Sequence, residues 1–233
     1  MNSNRELLVR TVRKIEPLLD RLVFVGGAVV ELYFTDPASE RVRPTTDTDC
    51  LCEVASYSEY HRLGDRLREL SFRQSLREAD PPYRWRSGDD VLDVMPPDPS
   101  VLGFTNPWYG TALDDTRSTE IADGLAIRVP APPVLLATKL AAHEDRGADD
   151  PMTSTDLEDV IALLANRPEL VGEVAAADRE LRDWIVGRID RFLPSDRASE
   201  LVAAFLPEIR QVPELRSMVT DRVAALREDA ERE

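Results

Sequence analysis

The stretch Val23-Phe24-Val25-Gly26-Gly27-Ala28, followed beyond Pro44 by Thr46-Asp47-Thr48-Asp49-Cys50-Leu51-Cys52, decides how this chain is read. A short apolar run that ends in two glycines and opens a helix leaves backbone N–H groups free and lets the chain approach a phosphate closely. Asp47 and Asp49 lie two apart in a strand-like run, so the period of two puts both carboxylates on one face, where they can share hard divalent cations. A third acid, Asp93, sits inside the apolar run Val91-Leu92-Asp93-Val94-Met95, where a lone charge would be costly. Each piece alone also fits ordinary structure: a tight turn, a solvated loop, an acid paired with a buried arginine.

In this order Gly26-Gly27, Asp47-Thr48-Asp49 and Asp93 resemble the signature of the polymerase-β-like nucleotidyltransferase superfamily. The resemblance implies an α+β fold, with a mixed sheet flanked by helices. It also implies two Mg²⁺ ions held by Asp47, Asp49 and Asp93 around a nucleoside triphosphate, with Gly26, Gly27 and Thr46 at the nucleotide.

The whole chain narrows the setting. No uninterrupted apolar run approaches the roughly 20 residues of a membrane span, and Met1-Asn2-Ser3-Asn4-Arg5-Glu6 has no apolar signal core, so a soluble cytoplasmic protein is expected. Cys50 and Cys52 point the same way along one strand, a poor geometry for a disulfide. With only His61 and His143 beside them they make a poor zinc site, which leaves small buried packing groups. A formal net charge of −15 repels polyanions and leaves a local basic groove as the route to any RNA. Lys14 and Lys139 are the two lysines among 29 basic residues, which makes a lysine at a site conspicuous.

Taken in order, Arg5 to Leu22 has helical spacing, and the run from Ala28 to Phe34 continues as the helix whose start faces the phosphates. Arg41 and Arg43 follow in a Pro- and Arg-rich loop, as solvated residues or as triphosphate contacts. Ser56 to Leu70 reads as a helix, Phe72 to Leu76 as a short strand, and Arg84-Trp85-Arg86 as a strand turning at Gly88 into the Asp93 strand. Arg84 and Arg86 share one face, and either pair with acids of the sheet or stand near substrate phosphate. Trp108 and Tyr109 read as cover for a core edge, with base stacking as the functional alternative. Pro130-Ala131-Pro132-Pro133 marks a boundary between a catalytic domain, 1–130, and an all-helical domain, 131–233, expected to complete the active-site cleft. Lys139 and Arg146 lie along the edge of one helical stripe, and Asp156 and Asp159 fall outside the apolar stripe of the next helix. Breaks are expected at Pro194, Pro207 and Pro213, with a frayed end from Arg227.

Arg84-Trp85-Arg86, Leu92-Asp93-Val94-Met95-Pro96, Leu102-Gly103-Phe104 with Asn106, and the block Ala137 to Gly147 followed by Asp156 to Ile161 resemble the AbiEii/AbiGii-type nucleotidyltransferase family. That family includes toxins of toxin–antitoxin and phage-defence systems. The resemblance implies transfer of NMP from an NTP to an acceptor hydroxyl, pointing to a tRNA 3′ end and a cognate antitoxin. It places Lys139, Arg84, Arg86 and Arg146 toward the nucleotide, with Asp156 or Asp159 orienting it, and gives Asp93 the role of base. The acidic charge favours a small molecule or a protein hydroxyl as acceptor instead, and a catalytically silent nucleotide-binding partner is the reading from another class.

Overall fold

The computed structural model describes residues 4–36, 43–103, 105–146, 150–205 and 213–230. Arg41, Phe104, Gly147 and Pro207 lie outside the described residues. The chain divides into two compact units, Met1–Leu32 with Arg43–Ala131, and Tyr33–Val42 with Pro132–Glu233.

In the first unit β1 (Leu22–Val25), β2 (Thr48–Cys52), β3 (Arg73–Gln74), β4 (Arg84–Ser87) and β5 (Asp90–Met95) form a five-stranded sheet in the order β1-β2-β5-β4-β3. β2 and β5 run parallel and the other neighbours antiparallel, so the sheet is mixed. All of central β5 is buried, as expected for its continuous apolar run. The crossover from β2 carries α2 (Tyr57–Glu69), started by the Ser56 hydroxyl, which accepts the Glu59 N–H. Tyr60, Leu63 and Leu67 turn inward, and the Tyr60 hydroxyl donates to the Val94 carbonyl at 3.0 Å. Gly64 of α2 leaves room for the Trp85 ring, which an added Cβ would meet at 3.0 Å. Because side chains alternate along a strand, Trp85 facing α2 puts Arg84 and Arg86 on the opposite face.

Two expected helices differ in extent. α1 (Asn4–Lys14) stops well before Leu22, because Pro17 has no N–H to give and clashes with a preceding turn; it opens a separate 3₁₀ helix, Glu16–Arg21. The run after Gly26 is a 3₁₀ helix, Gly27–Tyr33, with the tighter turn of that helix type. Arg10 and Lys14 of α1 hold Asp90 at 2.6 and 2.7 Å. Short helices α3 (Pro99–Leu102) and α4 (Tyr109–Asp114) lead to a two-stranded ribbon, β6 (Thr116–Ala122) and β7 (Leu125–Pro130). Trp108 and Tyr109 are buried in this core, and the Tyr109 hydroxyl donates to Met95 Sδ at 3.4 Å, so neither presents an open face for a base. Cys50 and Cys52 are buried free thiols, and burial pushes Cys52 up to about 12.

The second unit is helical: α5 (Pro132–Arg146), α6 (Thr155–Asn166), α7 (Leu170–Ala175), α8 (Arg179–Phe192), α9 (Ala198–Phe205) and α10 (Pro213–Ala230). α6 lies at its centre against α5, α9 and α10 and is buried almost all round. Arg227, expected at a frayed end, donates to Asp190 at 2.5 Å and to Ser195 at 3.0 Å, while residues 231–233 of that expected end lie outside the described residues. No helix among the described residues is long and apolar enough to cross a membrane.

His143 of α5 is fully buried, with Nδ1 2.7 Å from the Ser154 hydroxyl and its ring edge-on to Phe192 at 4.6 Å. Among the described residues Nε2 has no hydrogen-bond partner, so a charged imidazole would be poorly served there. Burial lowers its pKa below the ordinary 6.5, against the pull of Asp156. Its contribution to stability is therefore complete above pH 6.5 and is lost as pH falls from there through the lower folded-state value. Urea unfolding should show stability falling between about pH 7 and pH 5, with a slope of up to about 1.4 kcal/mol per pH unit from this residue. The slope should flatten in His143→Gln; an unchanged slope would assign the loss to other groups.

Candidate active site

The register of the sheet aligns three charged groups on one rung. Asp49 of β2 is the Cα partner of Asp93 of β5, and Asp93 is the partner of Arg84 of β4. Asp47, one residue before β2, reaches the same place, and one carboxylate oxygen from each of Asp47, Asp49 and Asp93 lies within 4.8 Å of the others. Asp93 is buried while Asp47 and Asp49 are partly open. Three carboxylates so close repel one another, and hard oxygen donors in this arrangement suit a divalent cation.

The neighbouring chain is shaped around these acids. Gly26 ends β1 with φ +78°, in the left-handed region that glycine enters without strain, and a Cβ there would run into the Asp49 carboxylate. Gly27 is buried at the start of the 3₁₀ helix, and Thr46 is exposed just before Asp47. The Thr45 hydroxyl donates to Asp47 Oδ1 at 2.8 Å. Asn4 clamps this edge, its amide donating to the Arg43 carbonyl and accepting the Thr45 N–H, both at 2.9 Å.

Both strand arginines sit on acids. Arg84 grips Asp93 in bidentate fashion, Nε to Oδ1 at 2.8 Å and Nη2 to Oδ2 at 2.7 Å, and Nη2 also reaches Asp47 Oδ2 at 3.0 Å. Arg86 donates to Asp80 Oδ2 at 2.8 Å, an oxygen that also takes the Ser75 hydroxyl. Hydrogen bonding to Asp93 raises the Arg84 pKa, burial raises that of Asp93 against the pull of Arg84, and Ser75 and Arg86 lower that of Asp80.

A second charged cluster lies within the helical unit. Lys139 Nζ stands 2.5 Å from Asp159 Oδ2 and 3.2 Å from Asp156 Oδ1, while the exposed Arg146 holds Asp156 at 2.8 and 3.1 Å. The expected edge position of Lys139 is corrected here: it is 5% exposed, and Asp156 and Asp159, expected outside the apolar stripe, are 2% and 0% exposed. Mutual pairing is what lets these charges be buried. Burial raises the Asp156 pKa, but Lys139 and Arg146 outweigh it and hold the carboxyl below its ordinary value.

Neither a family model nor a curated protein matches the sequence. Among solved structures, ANT(2″)-Ia in complex with adenylyl-2″-tobramycin is similar at a TM-score of 0.50 and 16% identity, over 79% of this chain and 98% of that one. The chain has a nucleotidyltransferase fold. An antigenic nucleotidyltransferase-like protein from Paracoccidioides brasiliensis aligns at a TM-score of 0.47 and 18% identity, over 93% of this chain and 92% of that one. Within the nucleotidyltransferase fold, sequence reasoning passed over Asn4, Thr45 and Asp80. Thr45 stands two residues before Asp47, a spacing at which side chains bond locally. Asp80 opens the Pro81-Pro82 turn into the arginine strand. Asn4 acts across 41 residues and leaves no local mark.

Lys139→Ala would take the ammonium group from buried Asp159 and leave Asp156 with Arg146, and should cost about 3–5 kcal/mol in urea unfolding. Arg146→Ala, at an exposed side chain, should cost far less; equal losses would contradict this account of the cluster.

Proposed function

We propose that the protein is a Mg²⁺-dependent nucleotidyltransferase that moves NMP from an NTP to an acceptor hydroxyl and releases pyrophosphate. The observation that carries the reading is the convergence of Asp47, Asp49 and Asp93 against Gly26. The three carboxylates suit Mg²⁺, and two ions are the number the family resemblance implies. When bound, Mg²⁺ supplies positive charge for the triphosphate and the departing pyrophosphate. Gly26 and Gly27 let the backbone approach the phosphates, with Thr46, Arg84 and Arg86 as polar neighbours. Of the helical-unit residues that the family resemblance assigns to the nucleotide, Arg146 is the exposed one, and the buried Lys139, Asp156 and Asp159 position it. The acceptor oxygen bonds to the α-phosphorus, the bond from that phosphorus to the bridging oxygen breaks, and Asp93 takes the hydroxyl proton. Placement and charge neutralisation account for most of such catalysis.

The family resemblance proposes a tRNA 3′ end as acceptor, which makes the protein a toxin with a cognate antitoxin. A second reading is favoured by the formal charge of −15, which suits a cationic small molecule, and by the adenylylated tobramycin held by ANT(2″)-Ia. The test incubates the protein with each α-phosphorus-labelled NTP, Mg²⁺ and either total tRNA or a set of polycationic hydroxyl compounds. Wild type should transfer label, and Asp49→Asn should lose at least about 100-fold while staying folded, with a melting point no lower than that of wild type because two carboxylate repulsions are relieved. Label on tRNA supports the toxin reading and label on a small molecule the second; full activity in folded Asp49→Asn would refute the mechanism.

A further inference from the structure

Arg84 holds both oxygens of Asp93 and one of Asp47, so a cation already occupies two of the three carboxylates. Its backbone is fixed opposite Asp93 by the β4–β5 pairing, which leaves the guanidinium as the part that can move. A second partner stands beside it, because Arg84 Nη1 lies 3.6 Å from Asp80 Oδ1, while Asp80 Oδ2 is engaged by Arg86 and Ser75. We infer that Arg84 is the resident counter-ion of the acidic cluster, that a divalent cation and its guanidinium compete for Asp93 and Asp47, and that the displaced guanidinium is taken up by Asp80. This rests on the reading of the three acids as a metal site and adds a gate to it. Arg84 takes one lone pair on each oxygen of Asp93, so a metal or a hydroxyl proton meets a carboxylate whose accepting capacity and charge are partly committed, and the whole of it becomes available as Arg84 leaves. A released guanidinium, still charged and still on the same face, is then free to donate to a phosphate.

The competition has a readout that needs no catalysis. Mn²⁺ is titrated without nucleotide into wild type, Arg84→Gln, Arg84→Lys and Asp49→Asn, and free Mn²⁺ is followed by electron paramagnetic resonance. Arg84→Gln should bind Mn²⁺ at least about tenfold more tightly than wild type, because no guanidinium has to be displaced. In EDTA it should melt lower than wild type, since the carboxylates lose their counter-ion, and added Mn²⁺ should raise its melting point more. Arg84→Lys keeps the charge without the bidentate grip and should fall between the two. Should Arg84→Gln fold only when Mn²⁺ is present, that rescue supports the competition, and Arg84→Lys still supplies a measured affinity. Equal or weaker Mn²⁺ binding by Arg84→Gln overturns the inference and leaves the metal site standing. Absence of Mn²⁺ binding by wild type and both Arg84 variants overturns the inference and the metal reading together.

Discussion

Three carboxylates with oxygens within 4.8 Å of one another are the constraint on which the first unit depends. At an effective dielectric of about 20, each pair at such a distance repels by roughly 3 kcal/mol, more than most single contacts contribute. The fold tolerates this because the acids are held from several directions at once. Hydrogen-bond register sets Asp49 opposite Asp93, Thr45 fixes Asp47, and Asn4 secures the backbone that carries Thr45. Arg84 supplies the compensating charge. A sheet packed on α2 through Trp85 and Tyr60 cannot relax by spreading its strands without losing that core.

The helical unit handles charge in the opposite way. Lys139, Asp156 and Asp159 are taken out of water almost completely and satisfied mainly by one another, with Arg146 closing the exposed side of Asp156. Such a buried network adds little net stability over an apolar core but makes removal of any member expensive. A cluster of acids with two members partly open and a set of ion pairs that is largely sealed thus occupy different units of one chain.

The sheet and its acids were legible because they write periodic patterns. Asp47 and Asp49 are two apart, Asp93 interrupts an apolar run, and Arg-Trp-Arg alternates before a glycine turn that the structure places at φ +63°. α2 carried its own start signal in Ser56. What escaped reading depends on the tertiary surroundings. Lys139 reads as an edge residue because only the packing of α5 on α6 brings two acids to its ammonium group. The end of α1 is set locally by a single proline and Asp80 pairs across the short turn into β4, whereas Asn4 acquires its role only once segments 41 residues apart meet.

The proposed metal site of Asp47, Asp49 and Asp93 lies on the face of the sheet opposite α2. Crystals of the protein soaked in Mn²⁺ test it most directly through anomalous scattering. An anomalous peak is expected within about 2–2.5 Å of carboxylate oxygens from Asp47 and Asp49, with Asp93 completing the set. Ordered carboxylates with no peak among them, at Mn²⁺ concentrations that saturate other divalent sites, would contradict it.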